Sequence, residues 1–173
     1  MTSSKRLSLA GAILLTGALA LSFRPAALAQ SEDDESRANI IADTWRVEVR
    51  QSDCVTGVQG PPFQSFLTFD RSGTLTGTTA APAFLPGQRS PDHGIWSHKH
   101  GVKYSATSEA FLLFDSEPRP PFPGFRAGRQ RISQSIELKN HAEFTSVALV
   151  EFFDTNGNIV MTGCANAIGR RFE

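Results

Sequence analysis

The sequence predicts an all-β domain of about eight antiparallel strands arranged as an up-and-down barrel. Three observations lead there. From Thr44 onward the dominant hydrophobic period is two rather than 3.6, and no convincing long helix interrupts it. Compact turn signals such as Asp70-Arg71-Ser72-Gly73 and Asp154-Thr155-Asn156-Gly157 separate the alternating runs. A tryptophan and a cysteine lie near the start of the periodic region, a cysteine and an arginine near its end, and their parities allow the first strand to pair with the last.

The residues before the strands set the compartment. Lys5-Arg6 begins an uncharged, mostly apolar run over 7–23, and Ala27-Leu28-Ala29 offers small residues where a signal peptidase reads. Residues 1–29 are therefore expected to be a cleaved signal peptide, with cleavage before Gln30 and a periplasmic or secreted product. A retained membrane anchor is the alternative, since the run is only a little short of a spanning helix. The small-residue site and the hydrophilic stretch after it favour removal, so no stable anchor is expected. Residues 30–42 read as an acidic flexible leader, with a helical turn over 39–42, and residues 43–173 as a single barrel domain.

The full chain carries 17 basic and 17 acidic residues; without Lys5, Arg6 and Arg24 the balance is 14 against 17, a formal charge of −3. That argues against a nucleic-acid partner, which calls for a basic face. Two cysteines in an exported chain are most simply one disulfide, two free thiols being the alternative.

Residues 44–52 place Trp45, Val47 and Val49 on one face and Arg46, Glu48 and Arg50 on the other, a half-buried strand. Residues 63–70 supply a second strand with Phe66, Leu67 and Phe69, and residues 74–79 the β-branched return. Ile95-Trp96-Ser97 is a short fourth strand, ended by a turn at His98-Lys99-His100-Gly101. Residues 102–115 run long, with Tyr104, Ala106, Ser108, Ala110, Leu112 and Phe114 on one face. Residues 129–138 set Gln130, Ile132, Gln134, Ile136 and Leu138 against Arg129, Arg131, Ser133 and Glu137. Residues 144–153 put Phe144, Ser146, Ala148, Val150 and Phe152 on one face, and residues 158–168 form the last strand. The segments around Asp70 and Asp154 look alike, which reads as shared turn chemistry rather than a repeat.

The connections over 53–62, 80–94 and 116–128 are long and rich in Pro and Gly, whereas those after strands two, four and six are tight. In an up-and-down barrel alternate connections share an end. The long loops are thus expected to gather at one rim, giving one open mouth and one closed base.

Parity places Cys54 and Cys164 on the face opposite Trp45, and Arg171 on the Trp45 face. Setting Cys54 opposite Cys164 on neighbouring strands makes Arg171 a diagonal neighbour of Trp45. A disulfide and a guanidinium–indole contact would then seal the barrel. Asp43-Thr44-Trp45 at the start of strand one, facing Arg171 at the end of the last, resembles the calycin superfamily and the lipocalins above all. Asp43 stands where lipocalins carry a Gly, and the chain stops too soon after strand eight for their C-terminal helix. The resemblance implies a lipocalin-like barrel without a C-terminal helix. Pro61-Pro62-Phe63-Gln64, Pro86-Gly87-Gln88-Arg89-Ser90-Pro91 and Gly163-Cys164-Ala165 are also similar to a group of secreted bacterial proteins, which implies no activity.

The inward set includes many small residues: Ala106, Ser108, Ala110, Ser146, Ala148, Gly163, Ala165 and Ala167. Small inward side chains either make room for a ligand or let a narrow barrel pack on itself. Gln130 and Gln134 on the same face would orient a ligand among apolar walls. The expected function is binding of a small, mostly apolar ligand through Trp96, Tyr104, Leu112, Gln130, Gln134, Phe144 and Met161, with no cofactor implied. A barrel enzyme of the isomerase or cyclase kind is the second reading, with His93 or Tyr104 in proton transfer. It would require an ionisable group in the lumen, where the parities place almost none. A third reading is a protein–protein interaction or structural module, a homodimer formed through Val147, Leu149 and Phe153. His98-x-His100 has metal-ligand character but no third ligand nearby, so no metal site is assigned. Residues 118–125, with Arg119 and Arg126, read as a rigid rim loop, a polyproline-type partner site being the alternative. No nucleophile elbow, phosphate loop or cysteine-nucleophile context is present, and no catalytic residue is assigned.

Overall fold

The computed structural model describes residues 39–172; the expected signal peptide and most of the acidic leader lie outside the described residues. Eight strands form the fold: β1 (Thr44–Ser52), β2 (Gln59–Phe69), β3 (Thr74–Thr79), β4 (Asp92–His100), β5 (Lys103–Leu112), β6 (Gly128–Asn140), β7 (Glu143–Phe153) and β8 (Ile159–Arg171). Each pairs antiparallel with the next and β8 returns to β1, so the sheet is a closed up-and-down barrel. This is the predicted architecture. Among the described residues no helix is long and apolar enough to cross a membrane.

The β1–β8 seam has a register that differs from the expected one by two residues. Trp45 lies directly opposite Arg171, and Ser52, rather than Cys54, lies opposite Cys164. Cys54 sits just past the end of β1 and reaches diagonally to Cys164, with the two Cα atoms 5.2 Å apart, to make the disulfide. The direct and diagonal pairs are thus exchanged. The faces are as predicted, because a shift of two preserves parity.

Arg171 closes the base. Its guanidinium carbon lies 4.6 Å from the Trp45 ring. Its nitrogens donate to the Ile40 carbonyl at 2.8 Å, the His141 carbonyl at 2.7 Å and Asp43 Oδ2 at 2.5 Å. The turn expected over 39–42 is a 3-10 turn, Asn39–Ile41, and the Trp45 indole donates to the Ile41 carbonyl at 2.9 Å. Ile41 is fully buried beneath the barrel with Trp45, Val47, Phe69, Leu75, Tyr104, Ile136 and Phe144. Trp45 meets Phe144 edge-on at 5.0 Å, Phe144 meets Phe69 at 6.2 Å, and Phe69 meets Trp96 at 6.0 Å. Gly169 is required here: a Cβ on it would fall 2.2 Å from the Phe144 ring.

Several strand limits differ from the periodicity reading. β2 begins at Gln59, so Pro61 and Pro62 lie inside a strand. β2 pairs with β3 only from Ser65 onward, so Pro61 and Pro62 lie where β2 has a free edge, and the pairing with β1 shifts between Arg50 and Ser52. Phe66 faces outward and packs edge-on against Phe172 at 5.7 Å. β4 begins at Asp92 and runs through His100, β8 extends to Arg171, and β5 stops at Leu112, leaving Phe114 beyond the strand and 41% exposed.

The shared turn chemistry is real. Asp70 and Asp154 each accept from the backbone N–H two residues on, at 2.8 and 2.9 Å. Gly73 and Gly157 close the two turns at φ of 86° and 87°, a left-handed conformation open to glycine.

Two outcomes follow from the seam. Replacing both cysteines by alanine should lower unfolding free energy by about 2–5 kcal/mol without changing the fold, as read by denaturant midpoint. The Asp43 carboxyl is held below its ordinary range by the Thr44 N–H and then by Arg171. Its share of the stability is present above the ordinary aspartate pKa of about 3.9 and is lost as pH falls through the lower native value. Arg171→Ala should flatten this acid limb and lower stability by about 2 kcal/mol, read by thermal unfolding between pH 2 and 7.

Candidate functional site

Large side chains fill both ends of the barrel, and small ones line the middle. The base holds the aromatic cluster around Trp45. At the other end Leu112, Val150, Phe152 and Ala165 form a second core with Ala83 and Phe125, against which Phe84, Phe122 and Met161 pack. Phe84 and Phe125 come from the two longest loops and lie 4.8 Å apart, with Phe152 5.2 Å from Phe125. The long loops do gather at one rim, but the expected open mouth is closed because their apolar residues fold inward.

The loops are pinned as well as packed. Gln88 is fully buried; its amide accepts from the Leu85 N–H at 3.1 Å and donates to the Phe114 carbonyl at 3.1 Å. The Leu113 N–H donates to the Gln88 carbonyl at 2.7 Å, and Arg119 reaches the Pro82 carbonyl at 2.7 Å. Arg119 thereby ties the 118–125 segment to the loop between β3 and β4.

Between the two cores lies a cavity of about 80 Å³ to which all eight strands contribute. Ser108, Ser146, Ala148, Ala165 and Ala167 line it, which is why space remains at this height. Gln130 and Gln134 face it, as do Val49, Ile132 and Val150. A broader groove of about 750 Å³ is open to solvent and bordered by Glu48, Arg50, Lys99, Lys103 and Glu137, surface residues of both signs.

One group in the cavity wall contradicts the expectation of a lumen nearly free of ionisable residues. Arg89, from the β3–β4 loop, and Asp92, the first residue of β4, form an ion pair with side chains only 4% and 3% exposed. Arg89 Nε also donates to Gln130 Oε1 at 2.6 Å, Nη1 donates to the Ser90 carbonyl at 3.3 Å, and the guanidinium lies 5.7 Å from the Phe84 ring. A buried charge must be paired and hydrogen-bonded, and this one is both. The Thr79 hydroxyl, also in the cavity wall, is buried with no hydrogen-bond partner among the described residues.

Of the seven ligand-binding candidates, Gln130 and Gln134 line the cavity. Trp96, Tyr104 and Phe144 belong to the base core; the Trp96 indole donates to the Asp70 carbonyl at 2.9 Å, and burial pushes the Tyr104 phenol up in pKa. Leu112 and Met161 belong to the rim core. His93 is exposed on the outer face opposite Glu109, away from the lumen. His98 meets Tyr104 at a tilt of 53° with ring centroids 5.1 Å apart, and the register shifts between His98 and His100. Val147 and Leu149 are exposed at 59% and 44%, but Phe153 is 6% exposed, under Arg129 with its guanidinium carbon 4.0 Å from the ring. The outward stripe is therefore shorter than expected, because Arg129 and Arg131 cover the Phe153 ring.

Arg89, Asp92 and Thr79 escaped the sequence reading. Asp92 shares parity with Trp96, so extending β4 three residues back would have placed it inward. Arg89 left no periodic signal, because it enters the lumen from a loop.

No family model and no curated protein matches this chain.

Removing one member of the buried pair should destabilise by about 3–5 kcal/mol, while the double variant Arg89→Met/Asp92→Leu should lose less than either single alanine variant. Denaturant unfolding of the three variants checks this.

Proposed function

We propose that this is an exported, calycin-like barrel that binds a small, mostly apolar ligand in its lumen. The observation that carries the reading is the cavity of about 80 Å³ held between two packed cores, with apolar walls and a few convergent polar groups. A water needs about 10–15 Å³, and an apolar cavity of about 150 Å³ takes benzene, so the space suits a compact molecule of a few heavy atoms. Export rests on the signal-peptide pattern, and the Cys54–Cys164 disulfide agrees with an oxidising compartment. The calycin likeness rests on Trp45, Arg171 and the closed eight-strand topology.

Native mass spectrometry of the mature protein purified from its own host, followed by solvent extraction, should find a non-covalent small molecule. A protein of bare polypeptide mass that also binds no apolar dye would contradict the reading.

The barrel-enzyme reading of the isomerase or cyclase kind gains from Asp92 and Arg89, ionisable groups within the lumen. It differs from the first in predicting that extracted ligand is chemically converted by the wild type and unchanged by Asp92→Asn.

A further inference from the structure

The charge state of the lumen restricts what kind of head group it can take. Arg89 is the cation in the cavity wall, and Asp92 beside it already neutralises it. A carboxylate or phosphate ligand would bring a second anion against one guanidinium, in a space where an unmatched charge is strongly disfavoured. A neutral ligand leaves the pair intact.

The hydrogen-bonding capacity left over points the same way. Arg89 uses three of its five N–H donors, on Gln130, Ser90 and Asp92. Gln130 accepts from Arg89 through its oxygen, so the other end of its amide carries only N–H donors. The Thr79 hydroxyl has no partner among the described residues and can donate or accept. A buried hydroxyl without a partner is the exception in a purely structural network. The wall also carries Gln134, Ser108 and Ser146, but at the level of the ion pair the Arg89 guanidinium, the Gln130 amide and the Thr79 hydroxyl all present N–H or O–H groups, which a ligand acceptor complements.

We propose that the lumen recognises a neutral carbonyl group, that of a ketone, ester or amide on a short apolar body, through donors of Gln130, Arg89 and Thr79, with Asp92 excluding carboxylates. The inference rests on the lumen being a ligand site and adds the chemical class that it accepts. Asp92 here sets specificity by occupying the cation that an anionic ligand would need.

Butanone and propionate test it: both have five heavy atoms and nearly the same shape, and they differ in charge. Titrated at neutral pH into isotopically labelled mature protein, butanone should shift the amide and methyl resonances of Gln130, Ala148 and Ala165 saturably. Propionate should bind at least tenfold more weakly. Thr79→Val, which removes the unpartnered hydroxyl at nearly constant volume, should raise the melting temperature of the ligand-free protein and weaken butanone. Asp92→Asn should reverse the preference, with propionate now raising its melting temperature more than butanone does. Should that variant fail to fold, the wild-type comparison and Thr79→Val still decide. Equal or tighter binding of propionate by the wild type would overturn the proposal, as would unchanged butanone affinity in Thr79→Val. Absence of both probes from the lumen would overturn it too. If native mass spectrometry meanwhile finds a bound small molecule, the lumen reading stands and only the head-group class is wrong.

Discussion

Strand β1 pairs with β8 over the full length from Trp45–Arg171 to Ser52–Cys164, and everything inside the barrel depends on that pairing. An up-and-down sheet that fails to close leaves two edges and no lumen. The seam joins residues far apart in sequence, so its loop-closure entropy is unfavourable and must be offset by interactions at the seam itself. Two devices act at its two ends. The disulfide ties the rim end on the outer face, and Arg171 ties the base end from below, gathering Trp45, Asp43 and the carbonyls of Ile40 and His141. A slip by one residue would turn Trp45 outward and its charged neighbours Arg46 and Glu48 inward. The register is therefore fixed by burial as well as by the crosslink.

With the seam fixed, side-chain size along the barrel axis decides where space remains. Five aromatics fill the base, three loop phenylalanines (Phe84, Phe122 and Phe125) cap the rim over Phe152 of β7, and alanine and serine occupy the middle on β5, β7 and β8. The rim cap is not part of the sheet. It consists of loops that bury Phe84 and Phe125 and hold each other through Gln88 and Arg119. That arrangement sets Arg89 at the level of the small residues, where Gln130 and Asp92 meet it. An ion pair in such a place is a weak source of stability compared with apolar packing of the same volume. It lies in the wall of a narrow space between the two cores, level with the small residues.

Much of this was legible from the sequence, for a physical reason. Strands buried on one face write a period of two into the chain, so the inward sets on β5, β6 and β7 were readable residue by residue, from Tyr104 to Leu112 and from Phe144 to Phe152. The Asp-x-x-Gly turns were legible because their side-chain hydrogen bonds are local. What escaped was non-local or irregular. Pro61 and Pro62 read as loop because they sit in a strand only where its edge toward β3 is free. Phe84, Phe125 and Arg89 carry no period, since loops have none, and their inward direction is set by contacts across the rim. The two candidates that do line the cavity, Gln130 and Gln134, sit in a regular strand; the aromatic candidates were misplaced because parity gives a face but not a height.

The most direct test is a high-resolution crystal structure of the protein isolated from its own host. The account predicts closed β1–β8 pairing with discrete non-protein density for a compact molecule at mid-height, touching Gln130 and the Arg89–Asp92 pair. Side chains packed continuously through that level, or a lumen holding only water in every molecule, would contradict it.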